Sequence, residues 1–302
     1  MFVSDAVPKI AAIGTFDGVH RGHRSVLDTL VNYASEHGLR PVAITFSGHP
    51  LALIAPDRAP HLLTPLSKKR KLLKEHGVEP VVLEFDSSLR NTTAEEWMRR
   101  LHDEFNVVAL VIGYDNTFGS DGVSLSLEDY RKIGEKTGIK VLTAKEIKSV
   151  SSSAIRKAVH AGDMEKAREM LGRPYSITGK VVTGNSLGHT IGFPTANLDL
   201  PEGVAIPKPG AYAAIVKTLA DGVKHPAIVN VGKRPTVMRG DYSVIEAHLI
   251  DWIGDLYGKE ITIRFLKRLR DEKKFDSIDA LKVQLAQDRE EALNLINSKN
   301  TL

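Results

Sequence analysis

No cysteine occurs anywhere in the 302 residues, which excludes disulfides, a cysteine nucleophile and any thiolate-held zinc or iron–sulfur site. No apolar run approaches the roughly 20 residues that a membrane-spanning helix needs. The first residues lack a cationic flank leading into an extended apolar segment, so they do not read as a secretory signal. No nucleophile elbow and no His-Glu-x-x-His helix is present, which removes serine-triad and zinc-peptidase chemistry. Charge of one sign is also scarce in net terms: 41 Lys plus Arg stand against 37 Asp plus Glu, a balance of +4. That excess suits anionic small substrates and does not call for nucleic acid. The densest basic stretch, residues 259–274, carries a single aromatic, Phe265, and so lacks the repeated aromatic interleaving that stacks bases. It also alternates with Glu260, Asp271 and Glu272, so it reads as a solvated strand-to-helix surface. The expectation is a cytoplasmic protein, a monomer or weak homo-oligomer, with small-molecule substrates and neither nucleic acid nor membrane as partner.

What is present is ordinary globular material, 42% hydrophobic and 26% charged, long enough for two domains of about 150 residues each. The first half alternates short apolar strands (9–13, 41–46, 80–85, 107–113, 140–143) with helical segments such as 23–37 and 92–105, the latter capped by Thr93. That alternation predicts a parallel sheet covered by helices, with ligands at the carboxyl ends of the strands. Residues 153–171 form two short helices broken at Gly162 and mark the junction. Beyond Gly172, strands at 175–182, 210–218, 225–231, 243–249 and 261–269 are separated by Gly, Pro and Asn with no helices between them, as in a small antiparallel barrel. Ser277 then opens a final amphipathic helix that is expected to pack on that barrel.

Two stretches carry chemistry. In the first, IAAIGTFDGVHRGH (10–23), an apolar strand runs into Gly14 and Gly18 and then into His20 and His23 at a helix start. Glycines let backbone approach a polyphosphate, the helix N-terminus offers amides and partial positive charge, and two histidines three apart project from one turn. In the second, GKVVTGNSLGHTIGFPTAN (179–197), Gly184, Gly188 and Gly192 recur every four residues, suited to a loop around phosphates. Thr195 and Asn197 follow at alternate positions on one strand face. Their oxygens make a sensible pair for a magnesium ion that keeps most of its waters.

The first stretch resembles the His-x-Gly-His motif of nucleotidyltransferases, in the wording of the FAD synthetase module of bacterial bifunctional riboflavin kinase/FAD synthetases. Two more segments fit that module in order. VSSSAIR (150–156) resembles its Ser-Ser-Thr-x-Ile-Arg segment, which implies triphosphate contacts for Ser152, Ser153 and Arg156. GYDNTFG (113–119) resembles a Gly-x-Asp/Asn-Phe-x-Phe-Gly loop, which implies a nucleotide or magnesium role for Asp115. The resemblance further assigns Gly14, Phe16, Asp17, Gly18, His49 and Pro50 to binding, and His20, His23 and Arg156 to catalysis. Three departures stand out: Asn116 replaces an aromatic, Ser153 a threonine, and the proline before His49-Pro50 is missing.

The second stretch resembles the riboflavin kinase signature of the same family almost letter for letter. NVGKRPT (230–236) matches a downstream Asn-x-Gly-x-x-Pro-Thr through Asn230, Gly232, Pro235 and Thr236, and IEAHLID (245–251) supplies Glu246. The resemblance implies that Glu246 is the general base on the ribityl 5′-hydroxyl, and that Thr195, Asn197 and Asp115 hold magnesium. The fold it implies is α/β: a Rossmann-like nucleotidyltransferase domain over 1–171, then a six-stranded antiparallel barrel with a C-terminal helix over 172–302. The activities it implies are phosphorylation of riboflavin to FMN and adenylylation of FMN to FAD, with ATP as co-substrate and Mg2+ as cofactor. A kinase with a decayed first domain, and an RNA-binding or regulatory protein reusing the nucleotidyltransferase fold, remain as alternatives. His160, His189, His225 and His248 read as packing or surface residues, and Trp97 and Trp252 as core or interface anchors.

Overall fold

The computed structural model describes residues 7–113, 117–183, 193–219, 222–236 and 240–298, with backbone alone for 233–236 and 240–243. It divides into two compact units, Met1–Ser152 and Ser153–Leu302.

The first unit is built on five parallel strands, β1 (Lys9–Ile13), β2 (Arg40–Phe46), β3 (Glu79–Leu83), β4 (Val107–Ile112) and β5 (Lys140–Thr143), in the order β3-β2-β1-β4-β5. Between them run α1 (Arg21–His37), α2 (Leu51–Ile54), α3 (Leu66–Glu75), α4 (Ser87–Asn91), α5 (Ala94–Phe105) and α6 (Leu127–Thr137). β1 alternates its side chains between two cores, as a strand of period two must when both faces are covered. Ile10 and Ala12 pack with Leu27 and Leu30 of α1 and Leu73 of α3. Ala11 and Ile13 pack with Trp97, Met98 and Leu101 of α5. Leu27 and Leu30 are fully buried, which stabilises the sheet-to-helix contact by about 2 kcal/mol each.

Local chemistry sets the helix ends. Thr93 and Glu96 form a reciprocal capping box at the start of α5. Gly38 closes α1 in the left-handed conformation, φ 65°, and its N–H reaches Ala34 O, a geometry that costs glycine nothing. Strand order reverses direction between β1 and β4, which makes the carboxyl end of β1 the crevice of the sheet.

The second unit opens with the bulk of α7 (Ser152–Ala161), followed by α8 (Met164–Leu171). It continues as a closed six-stranded barrel, β10-β7-β6-β11-β8-β9. The strands are β6 (Ser176–Val182), β7 (Ala196–Asp199), β8 (Gly210–Thr218), β9 (Lys224–Thr236), β10 (Gly240–Leu249) and β11 (Glu260–Arg270). Val229, Val231, Ile245, Ala247, Ile261, Ile263 and Phe265 are buried at alternate positions and fill the barrel. Outside it, α9 (Ile278–Ser298) lays Ala292 and Ile296 over Ala213, Ile228, Ile215 and Leu266, and Ser277 Oγ accepts from Ala280 N at its start.

The expected junction helices are present, and Gly162 between them takes φ 79°. They fasten to the barrel: Val159 O accepts from Lys208 N and the His160 imidazole bonds Ile206 O. A Cβ at Gly162 would lie 2.5 Å from Arg268 Cδ, so only glycine fits there. The basic run 259–274 includes a barrel strand in which Arg268 pairs with Asp271 and Arg270 with Asp288.

Candidate functional sites

At the carboxyl end of β1 the chain makes a tight loop whose backbone is strained. Phe16, Gly18 and Val19 all have positive φ (47°, 88° and 39°). For Phe16 and the β-branched Val19 this costs about 1–2 kcal/mol each, and it persists only where the surroundings hold it. Side-chain contacts from and to the loop do so. The Asp17 carboxylate, 2% exposed, accepts from the amides of Leu63 and Thr64, both at 3.0 Å. Thr64 Oγ1 accepts from Gly18 N at 2.5 Å. Ser152 Oγ donates to Asp17 O at 2.8 Å. Lys69 Nζ donates to Thr15 O and Phe46 O, each at 3.0 Å.

From this loop α1 springs, with His20 as its cap. His20 Nδ1 accepts from His23 N at 3.3 Å, and the two rings stack at 3.6 Å between centroids. Phe16 meets His23 edge-on at 5.3 Å. A Cβ at Gly22 would sit 3.2 Å from the His20 ring, so glycine there leaves the ring its place. The structure thus gathers Gly14, Phe16, Asp17, Gly18, His20, His23 and Ser152 around one helix N-terminus, whose partial positive charge favours an anion. Asp17 turns its carboxylate to the Leu63 and Thr64 amides. His49 and Pro50 stand just beyond β2, with the His49 ring accepting from Leu51 N. Ser153 and Arg156 lie on α7, where Arg156 Nη1 donates to Ser153 Oγ at 3.4 Å. Asp115 lies outside the described residues.

In the barrel, three of the expected residues occupy one transverse row. Glu246 on β10 is directly opposite Asn197 of β7 on one side and Asn230 of β9 on the other, and directly opposed side chains stand about 5 Å apart on the same face. The row lies on the outer face, since its neighbours Val229, Val231, Ile245 and Ala247 point inward. Asn197 is nonetheless buried. Two residues along β10, the His248 ring bonds Pro194 O at 2.9 Å through Nδ1 and lies 5.1 Å from the Phe193 ring. Because a carbonyl only accepts, that nitrogen carries the proton. Burial is the main influence pushing the His248 pKa down, against the Pro194 contact. His248 therefore anchors the Phe193-Pro194 segment beside Glu246 as a packing residue. Gly184, Gly188 and Gly192 lie outside the described residues.

Sequence reasoning passed over three residues. Lys69 sits in a run, SKKRK, that reads as a solvated face; its spacing from Leu66 and Leu73 is the signal that it turns inward. Thr64 gave no signal. Glu272 approaches Gly232 so closely that a Cβ there would lie 3.0 Å from Glu272 Oε1 and 3.5 Å from Asn230 Nδ2. This brings a second carboxylate to the Asn230 end of the row. Trp97 is a core residue as expected, and Trp252 packs edge-on against His225 at 6.2 Å.

Thr195 and Asn197 present a hydroxyl and a carboxamide oxygen, hard neutral donors beside a carboxylate, and this set fits a magnesium ion. Among the described residues no three His, Cys, Asp or Glu side chains gather to hold a metal, and no helix is long and apolar enough to cross a membrane.

Comparison with known proteins follows the same division. The family model for FAD synthetase matches residues 3–157 and that for riboflavin kinase matches residues 171–296. The chain is 35% identical over 296 residues to the bifunctional riboflavin kinase/FMN adenylyltransferase of Bacillus subtilis, covering 96% of this chain and 93% of that one. It is 38% identical over 288 residues to the enzyme of the same description from Escherichia coli, covering 92% and 90%. A crystal structure described as a macrolide-efflux protein from Streptococcus pneumoniae matches with TM-score 0.88 and 32% identity, over 97% of this chain and 96% of that one.

Proposed function

Because the chain belongs to the family of bifunctional riboflavin kinase/FMN adenylyltransferases, we propose that it carries out both reactions, each in its own half. Matches to both family models favour this over a kinase with a decayed first domain. We divide the two halves functionally at 171/172, next to residue 171 where the riboflavin kinase match begins.

In the kinase half, the row Asn197–Glu246–Asn230 is the observation that carries the reading. An alcohol is a poor nucleophile, so Glu246 takes the proton of the ribityl 5′-hydroxyl as its oxygen bonds to the γ-phosphorus of ATP. The bond from that phosphorus to the β–γ bridging oxygen breaks, and ADP leaves. Asn197 and Asn230 flank the carboxylate and restrict where the substrate oxygen sits. Thr195 and Asn197 would hold magnesium, which when bound neutralises phosphate charge.

In the adenylyl half, a phosphate oxygen of FMN bonds to the α-phosphorus of a second ATP, and the bond to the bridging oxygen breaks to release pyrophosphate. His20, His23 and the first amides of α1 meet the charge that builds on the α-phosphate. Ser152, Ser153 and Arg156 bind the triphosphate, with the guanidinium offering paired donors. Gly14, Phe16 and Gly18 line the nucleotide, Asp17 holds the loop, His49 and Pro50 border the flavin side, and Asp115 binds nucleotide or magnesium. In the kinase half Gly184, Gly188 and Gly192 wrap the phosphates. We place the enzyme in the cytoplasm, as a monomer or weak homo-oligomer that does not bind nucleic acid.

A chromatographic time course of riboflavin with magnesium and ATP tests the whole reading. FMN rises first and FAD follows; a folded protein that leaves riboflavin unchanged refutes it.

A further inference from the structure

Resting on the adenylyl-transfer reading, we propose that Lys69 is a positioning residue for that reaction, a buried ammonium that sets the direction of the backbone amides in the loop after β1. Lys69 comes from α3, not from any motif of the active site, and is 7% exposed. Its Nζ joins two carbonyls that belong to different elements: Thr15 O in the loop after β1 and Phe46 O at the end of β2. Thr15 O also accepts from Thr45 Oγ1 at 3.1 Å, so this carbonyl is held from two directions.

The consequence follows from peptide geometry. In a planar trans peptide the C=O of one residue and the N–H of the next point opposite ways. Drawing Phe46 C=O toward Lys69 sends Ser47 N–H the other way, and it donates to Leu83 O of β3 at 3.0 Å. Drawing Thr15 C=O toward Lys69 likewise turns Phe16 N–H away from Lys69, in the loop whose later residues, Gly18 and Val19, lead to the His20 cap. The same cation therefore couples a strained turn to the carboxyl end of β2. Without it, the two carbonyls lose the donor they share and the turn loses one of the contacts that hold it.

Burying an ammonium is costly, and a residue that only filled space there would be apolar. Burial lowers the Lys69 pKa to about 8, the Asp17 carboxylate opposing that shift. Asp17 is the charged group facing it from the β1–α1 loop, while the facing residues of β2, Thr45 and Phe46, carry no charge. The device is thus in its clamping form at neutral pH and relaxes as the ammonium loses its proton.

Three preparations of the full chain decide the matter: wild type, Lys69→Met and Lys69→Arg, each assayed separately for FAD from FMN and ATP and for FMN from riboflavin and ATP. Lys69→Met is expected to lose about 100-fold in kcat/KM for adenylyl transfer, the scale of a displaced reacting geometry, while its kinase rate and far-ultraviolet dichroism stay those of the wild type. Wild-type adenylyl transfer is expected to fall above about pH 8 with no such limb in the kinase reaction. Lys69→Arg, whose guanidinium stays charged, is expected to recover part of the rate and to shift that limb upward. Wild-type adenylyl kinetics in Lys69→Met, or an identical alkaline limb in Lys69→Arg, overturns the inference, as does a loss of rate matched by loss of folded structure. Failure of the wild type itself to make FAD would instead overturn the functional reading on which this one rests.

Discussion

Asn197 and Glu246 are directly paired across β7 and β10, so a carboxamide and a carboxylate more than forty positions apart in the chain share one outward row of the barrel. Replacing the carboxylate tests what the row is for. Glu246→Gln keeps the shape and removes the base, and FMN formation is expected to drop by about 10³-fold, within the range for a lost general base. FAD formation from supplied FMN stays unchanged, as separate assays of the two reactions will read.

The stacked histidines allow a parallel test in the first unit. His23→Ala removes a donor from the helix start, and adenylyl transfer is expected to fall about 10²- to 10³-fold with kinase activity intact. His20→Ala does this and also removes the α1 cap, so it should in addition lower the stability of that unit by about 1 kcal/mol. Thermal unfolding of the two variants side by side separates the effects.

How much of this was legible beforehand depended on the range of the interactions involved. The strand-helix alternation of the first half, the break at Gly162 and the helix opened by Ser277 rest on local periodicity and local caps, and all three are present. α1 begins at Arg21, earlier than the apolar spacing indicates, because the His20 ring supplies the cap. β9 runs on to Thr236, well past the expected 231, because its partner β10 continues and ladder bonds outweigh turn-forming residues. Glu246, Asn197 and Asn230 could be named from motifs, but their common row is a matter of register, which no single segment encodes. Lys69 escaped notice because its basic neighbours Lys68, Arg70 and Lys71 hide the one position that faces inward.

Acidity offers a check on the buried lysine that is independent of turnover. Its pKa is lowered to about 8 in the folded protein against 10.5 ordinarily. Between those values the unfolded chain holds a proton that the native one lacks, so this group's contribution makes unfolding harder as pH rises through that window. Denaturant titrations of wild type at steps from pH 7.5 to 10 should show this rise, and Lys69→Met should lack it.

The second unit contains a buried ion pair whose worth can be measured. Asp288 of α9 is 3% exposed and receives Arg270 Nε and Nη2 as well as Gln284 Nε2 at 2.8–3.0 Å. Asp288→Ala strands the guanidinium against the barrel wall and is expected to cost about 3 kcal/mol, whereas replacing both partners with Met recovers most of it. Denaturant midpoints of the single and double variants provide the comparison.

Barrel closure gives this enzyme an internal gauge of its own maturation. Residues 197, 230 and 246 come from three strands that meet only when β10 zips onto both β7 and β9, and such non-local pairings form late and together. During refolding, recovery of phosphate transfer to riboflavin should therefore lag the return of secondary structure and arrive in a single phase, so that the vitamin itself becomes a reporter of when the last seam has sealed.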